Sequence, residues 1–159
     1  EAGLVPAAAE DPTTPEHVYV REVVALLKDR LKTLAEVVEL TSFFFTEGTE
    51  EYPADLLVPR KTEPASVLEG LDRTREILAG ADFEDEAGME AALRALADEL
   101  GLKAGQLFMP IRVAATGRTV SPGLFETLRV LGKERTLARL DVARDKLRAY
   151  VAEQSSAAG

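Results

Sequence analysis

Cysteine is absent from the 159 residues, which excludes disulfides, thiolate zinc sites, iron–sulfur clusters and cysteine nucleophiles. Histidine occurs once. His17 follows Glu16 in the first turn of an expected helix, with no second histidine at metal-ligand spacing, and reads as an exposed or capping side chain. No apolar run reaches the ~20 residues of a membrane span. The best candidate, Thr41-Ser42-Phe43-Phe44-Phe45, is cut short by Glu47 and Gly48. There is no phosphate-cradling glycine loop, no Ser-His-Asp set, no HExxH helix and no pair of carboxylates in an apolar setting. The chain is therefore expected to hold no catalytic residue, no metal and no cofactor of its own, and to work in the cytoplasm without a membrane. It begins Glu1-Ala2-Gly3 without an initiator Met or a signal-like segment, and reads as starting inside a longer protein.

What is present is hydrophobic residues at helical spacing. At 46% hydrophobic the chain has enough apolar surface for a real core. Thr14-Pro15-Glu16 places a capping hydroxyl before a first-turn proline, and Val20, Val23, Val24, Leu27 and Leu31 follow with helical period. Thr33 and Glu36 form a capping box for a second helix carrying Leu34, Val37, Val38 and the Phe43-Phe44-Phe45 run. Tyr52-Pro53 and Val58-Pro59 bracket a short irregular or helical piece. Thr62 and Pro64 open a third helix with Val67, Leu68, Leu71 and Leu78 inward, expected to close on a left-handed Gly80. Asp85 caps a fourth helix with Met89, Leu93, Leu96 and Leu100 on one stripe, stopped by Gly101. Helices from 105 through Pro110 to Gly117, from Ser121 to Gly132, and from Lys133 through Tyr150 complete the series. No segment alternates as a strand would.

These elements predict an all-α fold of six or seven helices. They would form two packed subdomains, 15–80 and 81–150, after a lead-in over 1–14 and before a frayed tail over 151–159.

The net charge of -9 conceals an asymmetry. Residues 101–148 hold ten Lys and Arg against four acids, net +6, while the remainder holds 9 basic and 24 acidic residues, net -15. A polyanion would be steered toward the basic end, although a solvated charged helix gives the same count.

Within that end, Gly105-Gln106-Leu107-Phe108-Met109-Pro110-Ile111-Arg112 and Ser121-Pro122-Gly123-Leu124-Phe125-Glu126 interleave small, kinked and cationic residues. An arginine fork, a helix start beside it and an apolar lip at Leu124 are parts that catch an unstacked base; a structural elbow bearing a surface arginine uses the same parts.

The pattern Leu107-Phe108-x-Pro110-x-Arg112-Val113-Ala114-x-Thr116-Gly117, then Ser121-Pro122-Gly123-Leu124-Phe125-Glu126, Leu131-Gly132-Lys133-Glu134-Arg135 and Arg139-Leu140, resembles the C-terminal end of bacterial glutamyl-tRNA synthetases. The resemblance covers about residues 18–148 and drifts over 48–85. Relatives place threonine at Ser121 in some cases and often leucine at Ala115. The resemblance implies an all-helical anticodon-binding portion that follows catalytic and stem-contact domains. It implies that Arg30, Arg94 and Arg112 contact the anticodon, helped by Ser121, Pro122 and Leu124. Arg118, Lys133 and Arg135 would then meet the RNA backbone.

Under that reading the partners are the anticodon loop of a glutamate tRNA and the N-terminal catalytic domain of the same polypeptide, which would use ATP and Mg2+, and the chain is expected to be monomeric. Arg30 would read the last anticodon base: cytosine offers O2 and N3 acceptors to a guanidinium, where guanine offers an N–H donor. Arg94 and Arg112 would hold the other two bases or their phosphates. The competing expectation is a helical protein–protein interaction module that binds no RNA.

Overall fold

The computed structural model describes residues 12–28, 34–46, 48 and 51–158. Seven α-helices occur among them: α1 Pro15–Leu27, α2 Leu34–Phe45, α3 Pro64–Gly80, α4 Glu86–Glu99, α5 Ala104–Thr116, α6 Leu124–Leu131 and α7 Lys133–Ala158. A short 3-10 turn, Ala54–Leu57, lies between α2 and α3. No strand occurs among the described residues.

Local chemistry explains most of the boundaries. The Thr14 hydroxyl accepts from the His17 N–H at 3.3 Å and opens α1. Asp85 accepts from the Gly88 N–H at 2.9 Å and opens α4. The Gln106 carboxamide reaches back to the Lys103 N–H at 2.9 Å, closing the first turn of α5. Gly101, Gly117 and Gly132 take φ of 68°, 74° and 85°, turning the chain after α4, α5 and α6 where a side chain would be strained.

Four expectations are corrected. Gly80 is the last residue of α3 with no left-handed φ; the helix ends instead by Ala81 turning extended. Thr62 does not cap α3: Glu63 holds the cap position, and the Thr62 hydroxyl donates to Pro59 O. Val24, expected inward, is 55% exposed. It lies about 100° round the helix from Val23, and α1 packs mainly on α2 and α6, so a narrow stripe of Val23 and Leu27 suffices. The last helix runs past Tyr150 to Ala158, because Val151 still packs on the core and Ala152-Glu153-Gln154 are good helix formers. The proposed capping box at Thr33 lies outside the described residues.

The buried apolar side chains form one continuous cluster, from Phe43, Phe44 and Leu57 through Leu71, Leu78 and Leu93 to Ile111, Leu128, Leu140 and Leu147. Each large side chain so buried contributes on the order of 1.5–3 kcal/mol. The long α7 runs against α3 and touches α5 and α6, while α4 packs on α3, α5 and α6. Residues before and after position 80 thus share one core. Charged side chains lace α3 to α7, Arg75 to Asp141 at 2.9 Å and Arg144 to Asp72 at 2.5 Å, and Arg144 also meets Asp141 on its own helix at 2.7 Å. This packing leaves the first turns of α4, the middle of α5 and the start of α6 facing one another across an open groove.

Candidate nucleic-acid interface

That groove encloses about 530 Å³ and is lined by Glu86, Glu90 and Arg94 of α4, Phe108 and Arg112 of α5, and Gly123 to Glu126 at the start of α6. Its position follows from helix periodicity: Glu90 and Arg94 are one turn apart on α4, as are Phe108 and Arg112 on α5. Arg94 donates from Nε to Glu90 Oε1 at 2.8 Å, and its guanidinium carbon lies 5.3 Å from the centroid of the Phe108 ring. Phe108 in turn meets Phe125 edge-on at 5.2 Å, so arginine and two rings make one wall.

Arg112 is held from behind. Its Nη1 donates to Pro122 O at 2.7 Å, to Ser121 O at 3.3 Å and to Ser121 Oγ. Ser121 and Pro122 thus orient the arginine, while Leu124, only 5% exposed, forms floor and not the protruding lip that the sequence suggested. Glu126 folds back over the start of α6: a Cβ on Gly123 would lie 2.9 Å from its Oε2. With Glu86 and Glu90 also on the lining, the groove carries three carboxylates against two guanidiniums, a balance that disfavours phosphate and suits a ligand with an aromatic face and a polar edge.

The other candidate cations lie elsewhere. Arg118 donates to Ser42 Oγ at 2.8 Å, and Arg135 donates to Phe44 O at 3.2 Å with its guanidinium 4.9 Å from the Tyr19 centroid. Lys133 donates to Ala79 O at 3.3 Å and stands 5.8 Å from the Phe83 centroid. Burial, the largest influence, pushes the Tyr19 phenol above its ordinary pKa against the pull of Arg135 and Arg139. Arg30 lies outside the described residues.

The i,i+4 spacings of Glu90 to Arg94 and of Phe108 to Arg112 mark those two residues in the sequence, whereas Glu126 has no such spacing to either arginine. The cations of 101–148 are equal in the charge count but not in the fold. Arg139 is 3% exposed and bonded to main-chain carbonyls, and burial pulls its pKa below the ordinary arginine value. Arg129 pairs with Glu86 at 2.7 Å, which raises its pKa, and Arg144 is committed to Asp72 and Asp141. Among the described residues no group of three His, Asp or Glu side chains is placed to hold a metal, and no helix is long and apolar enough to cross a membrane.

Fold and groove together define an all-helical module with one aromatic-walled groove between α4, α5 and α6. A family model described as "Anticodon binding domain" matches residues 3–144, and the chain belongs to that family. It is 45% identical over 152 residues to a glutamate–tRNA ligase of Roseiflexus castenholzii, covering 96% of this chain and 29% of that one. It is 42% identical over 128 residues to a glutamate–tRNA ligase of Thermus thermophilus, covering 79% of this chain and 26% of that one. A crystal structure of a glutamate tRNA ligase from Elizabethkingia meningosepticum in complex with its amino acid shares the fold, with a TM-score of 0.68 at 23% identity over 91% of this chain and 29% of that one. The chain spans less than a third of the length of these relatives.

Proposed function

We propose that this chain receives the anticodon loop of a glutamate tRNA on behalf of a glutamate–tRNA ligase, whose N-terminal catalytic part would attach glutamate using ATP and Mg2+ in the cytoplasm. The observation that carries the reading is the convergence of Arg94, Arg112 and Leu124 on one aromatic-walled groove in a chain that belongs to the anticodon-binding family. Such a groove takes an unstacked base by its face and its edge. Arg112, already oriented by Ser121 and Pro122, presents its guanidinium to a base edge, and Arg94 over Phe108 extends the stacking wall. Arg118, Lys133 and Arg135, on other parts of the surface, are assigned to the phosphates flanking the loop, and Arg30 to the last anticodon base.

The test is fluorescence anisotropy at low salt with a short RNA hairpin bearing the anticodon CUC and hairpins with each anticodon base replaced in turn. Binding that weakens on base replacement and on added salt supports the reading. Equal binding to every loop, or none, returns the chain to a protein-docking module.

A further inference from the structure

Arg139 is the most buried cation described, and its partners are neither carboxylates nor solvent. Its Nη1 donates to Ala115 O at 2.6 Å, at the last turn of α5. Its Nη2 donates to Phe43 O at 2.8 Å and Thr46 O at 3.0 Å, at the end of α2. Helix C-termini present carbonyls without intrahelical partners and a partial negative charge, so one guanidinium lies between two such ends.

The α5 end is the hinge of the Arg112 elbow. Next to Ala115, the Thr116 hydroxyl donates to Arg112 O at 2.7 Å and accepts from the Arg118 N–H at 3.1 Å. Gly117 then reverses the chain at φ 74°, and the loop returns Ser121 and Pro122 to the Arg112 guanidinium. A second tie runs from Arg118 Nη2 to Ser42 Oγ at 2.8 Å. Polar contacts and the covalent turn at Gly117 therefore connect the end of α2, through Arg139 and Thr116, to Arg112. Apart from the Arg118–Ser42 tie, which joins two side chains, each bond of this set ends on main chain and does not merely fix a side-chain rotamer, which is what placing a guanidinium against a base edge requires.

We infer that Arg139, acting through Ala115 and Thr116, is a positioning residue that sets Arg112 for base recognition. It touches no RNA itself. The inference rests on the proposed function, in which Arg112 meets an anticodon base. Lysine at 139 would keep the charge but has one nitrogen where the guanidinium spreads three, so it cannot span Ala115 O and the two α2 carbonyls in the same way.

The experiment uses the CUC hairpin and its three single-base replacements with wild type, Arg112→Ala, Arg139→Met, Arg139→Lys and Thr116→Val, each first checked by thermal melting to be folded at the assay temperature. Arg112→Ala identifies the anticodon position whose replacement it makes inconsequential. Arg139→Met is expected to lower discrimination at that same position about tenfold, Thr116→Val in the same direction, and Arg139→Lys to recover part of the loss. Affinity for the hairpin already replaced at that position should stay within about twofold of wild type, because the phosphate contacts are untouched.

Thr116→Val removes one hydroxyl from a buried site with little change of side-chain shape, and Arg139→Lys, with a partial loss, carries the test should Arg139→Met not fold. Wild-type discrimination in the folded Arg139 and Thr116 variants would overturn the inference, as would an equal loss at all three positions, the mark of general loosening. An Arg112→Ala protein with wild-type discrimination would instead overturn the underlying reading, and the positioning role with it.

Discussion

The guanidinium of Arg94 stands 5.3 Å from the Phe108 ring centroid while its Nε is bonded to Glu90. A cation fixed over an aromatic face is a preassembled stacking surface, and the two helices that carry it meet only in the folded chain. Arg94→Ala should lower affinity for the CUC hairpin by about 1 kcal/mol, within the range of one stacking or base-edge contact. Its effect on stability should be within about 0.5 kcal/mol, because its side chain is 56% exposed and its ion pair is a surface one. Anisotropy and thermal melts of the same samples separate the two effects.

Arg112→Ala should cost ~1–3 kcal/mol of base-dependent hairpin binding, the value of a good base contact. It should also raise amide hydrogen exchange over residues 118–123, since three acceptors on Ser121 and Pro122 lose their donor. Ser121→Ala removes only one of them and should have the smaller effect on both readouts. Unchanged binding in Arg112→Ala would leave the arginine as a loop staple alone.

The groove is partly legible in the amino-acid sequence. Helical spacing brings Phe108 beside Arg112 and Glu90 beside Arg94, and the kink-and-turn composition of 105–126 marks the elbow. What periodicity does not carry is the fate of a charge. Arg139 and Arg148 lie on opposite faces of α7, so periodicity separates them, but not what each meets: one is buried against carbonyls and the other is paired with Asp145 at 2.9 Å near solvent. That difference depends on which helices arrive opposite them, a tertiary fact. Likewise Gly80 and Gly101 both follow apolar stripes, but only Gly101 turns left-handed, because α4 must reverse at once into α5 while α3 leaves through an extended Ala81.

The two glycines make opposite predictions. A side chain at Gly80 meets nothing within 4 Å and the backbone is helical, so Gly80→Ala should stabilise the chain by roughly 0.4–1 kcal/mol through the unfolded state and helix propensity. At Gly101 space is equally open but φ is 68°, so Gly101→Ala should destabilise by about 1 kcal/mol or more. Denaturant midpoints with unchanged m-values check both signs.

The α3–α7 ion network makes stability depend on acid. The hydrogen bond from Arg75, followed by that from Arg144, holds the Asp141 carboxyl below its ordinary value. A depressed carboxylate pKa contributes stability that is present above the unfolded value of about 3.9 and lost as pH falls through the folded one. Asp141→Asn should therefore lower Tm at neutral pH, and the gap to wild type should close in acid below about pH 4. Because Asp141 is 43% exposed, added salt should narrow the gap as well. A gap independent of pH would place the effect in packing.

The salt dependence of RNA binding follows from how the cations are already engaged. Of the ten in residues 101–148, Arg139 is buried, and Arg129, Arg144, Lys146 and Arg148 face carboxylates of Glu86, Asp72, Glu51 and Asp145. Lys103, Arg112, Arg118, Lys133 and Arg135 make up the other five, several bonded to neutral carbonyls or hydroxyls that leave their charge in place. For a single-stranded loop the slope of log K against log salt is about -0.7 per phosphate neutralised, so these five set a limit near -3.5, where ten would give about -7. Anisotropy titrations across a salt series should give a slope no steeper than about -3.5, and Lys133→Ala or Arg135→Ala should each flatten it by up to about 0.7 with base discrimination preserved. A slope near -7 would mean that the ion pairs of Arg129, Arg144, Lys146 and Arg148 open to meet RNA, and the groove would then be only one part of a far larger electrostatic surface.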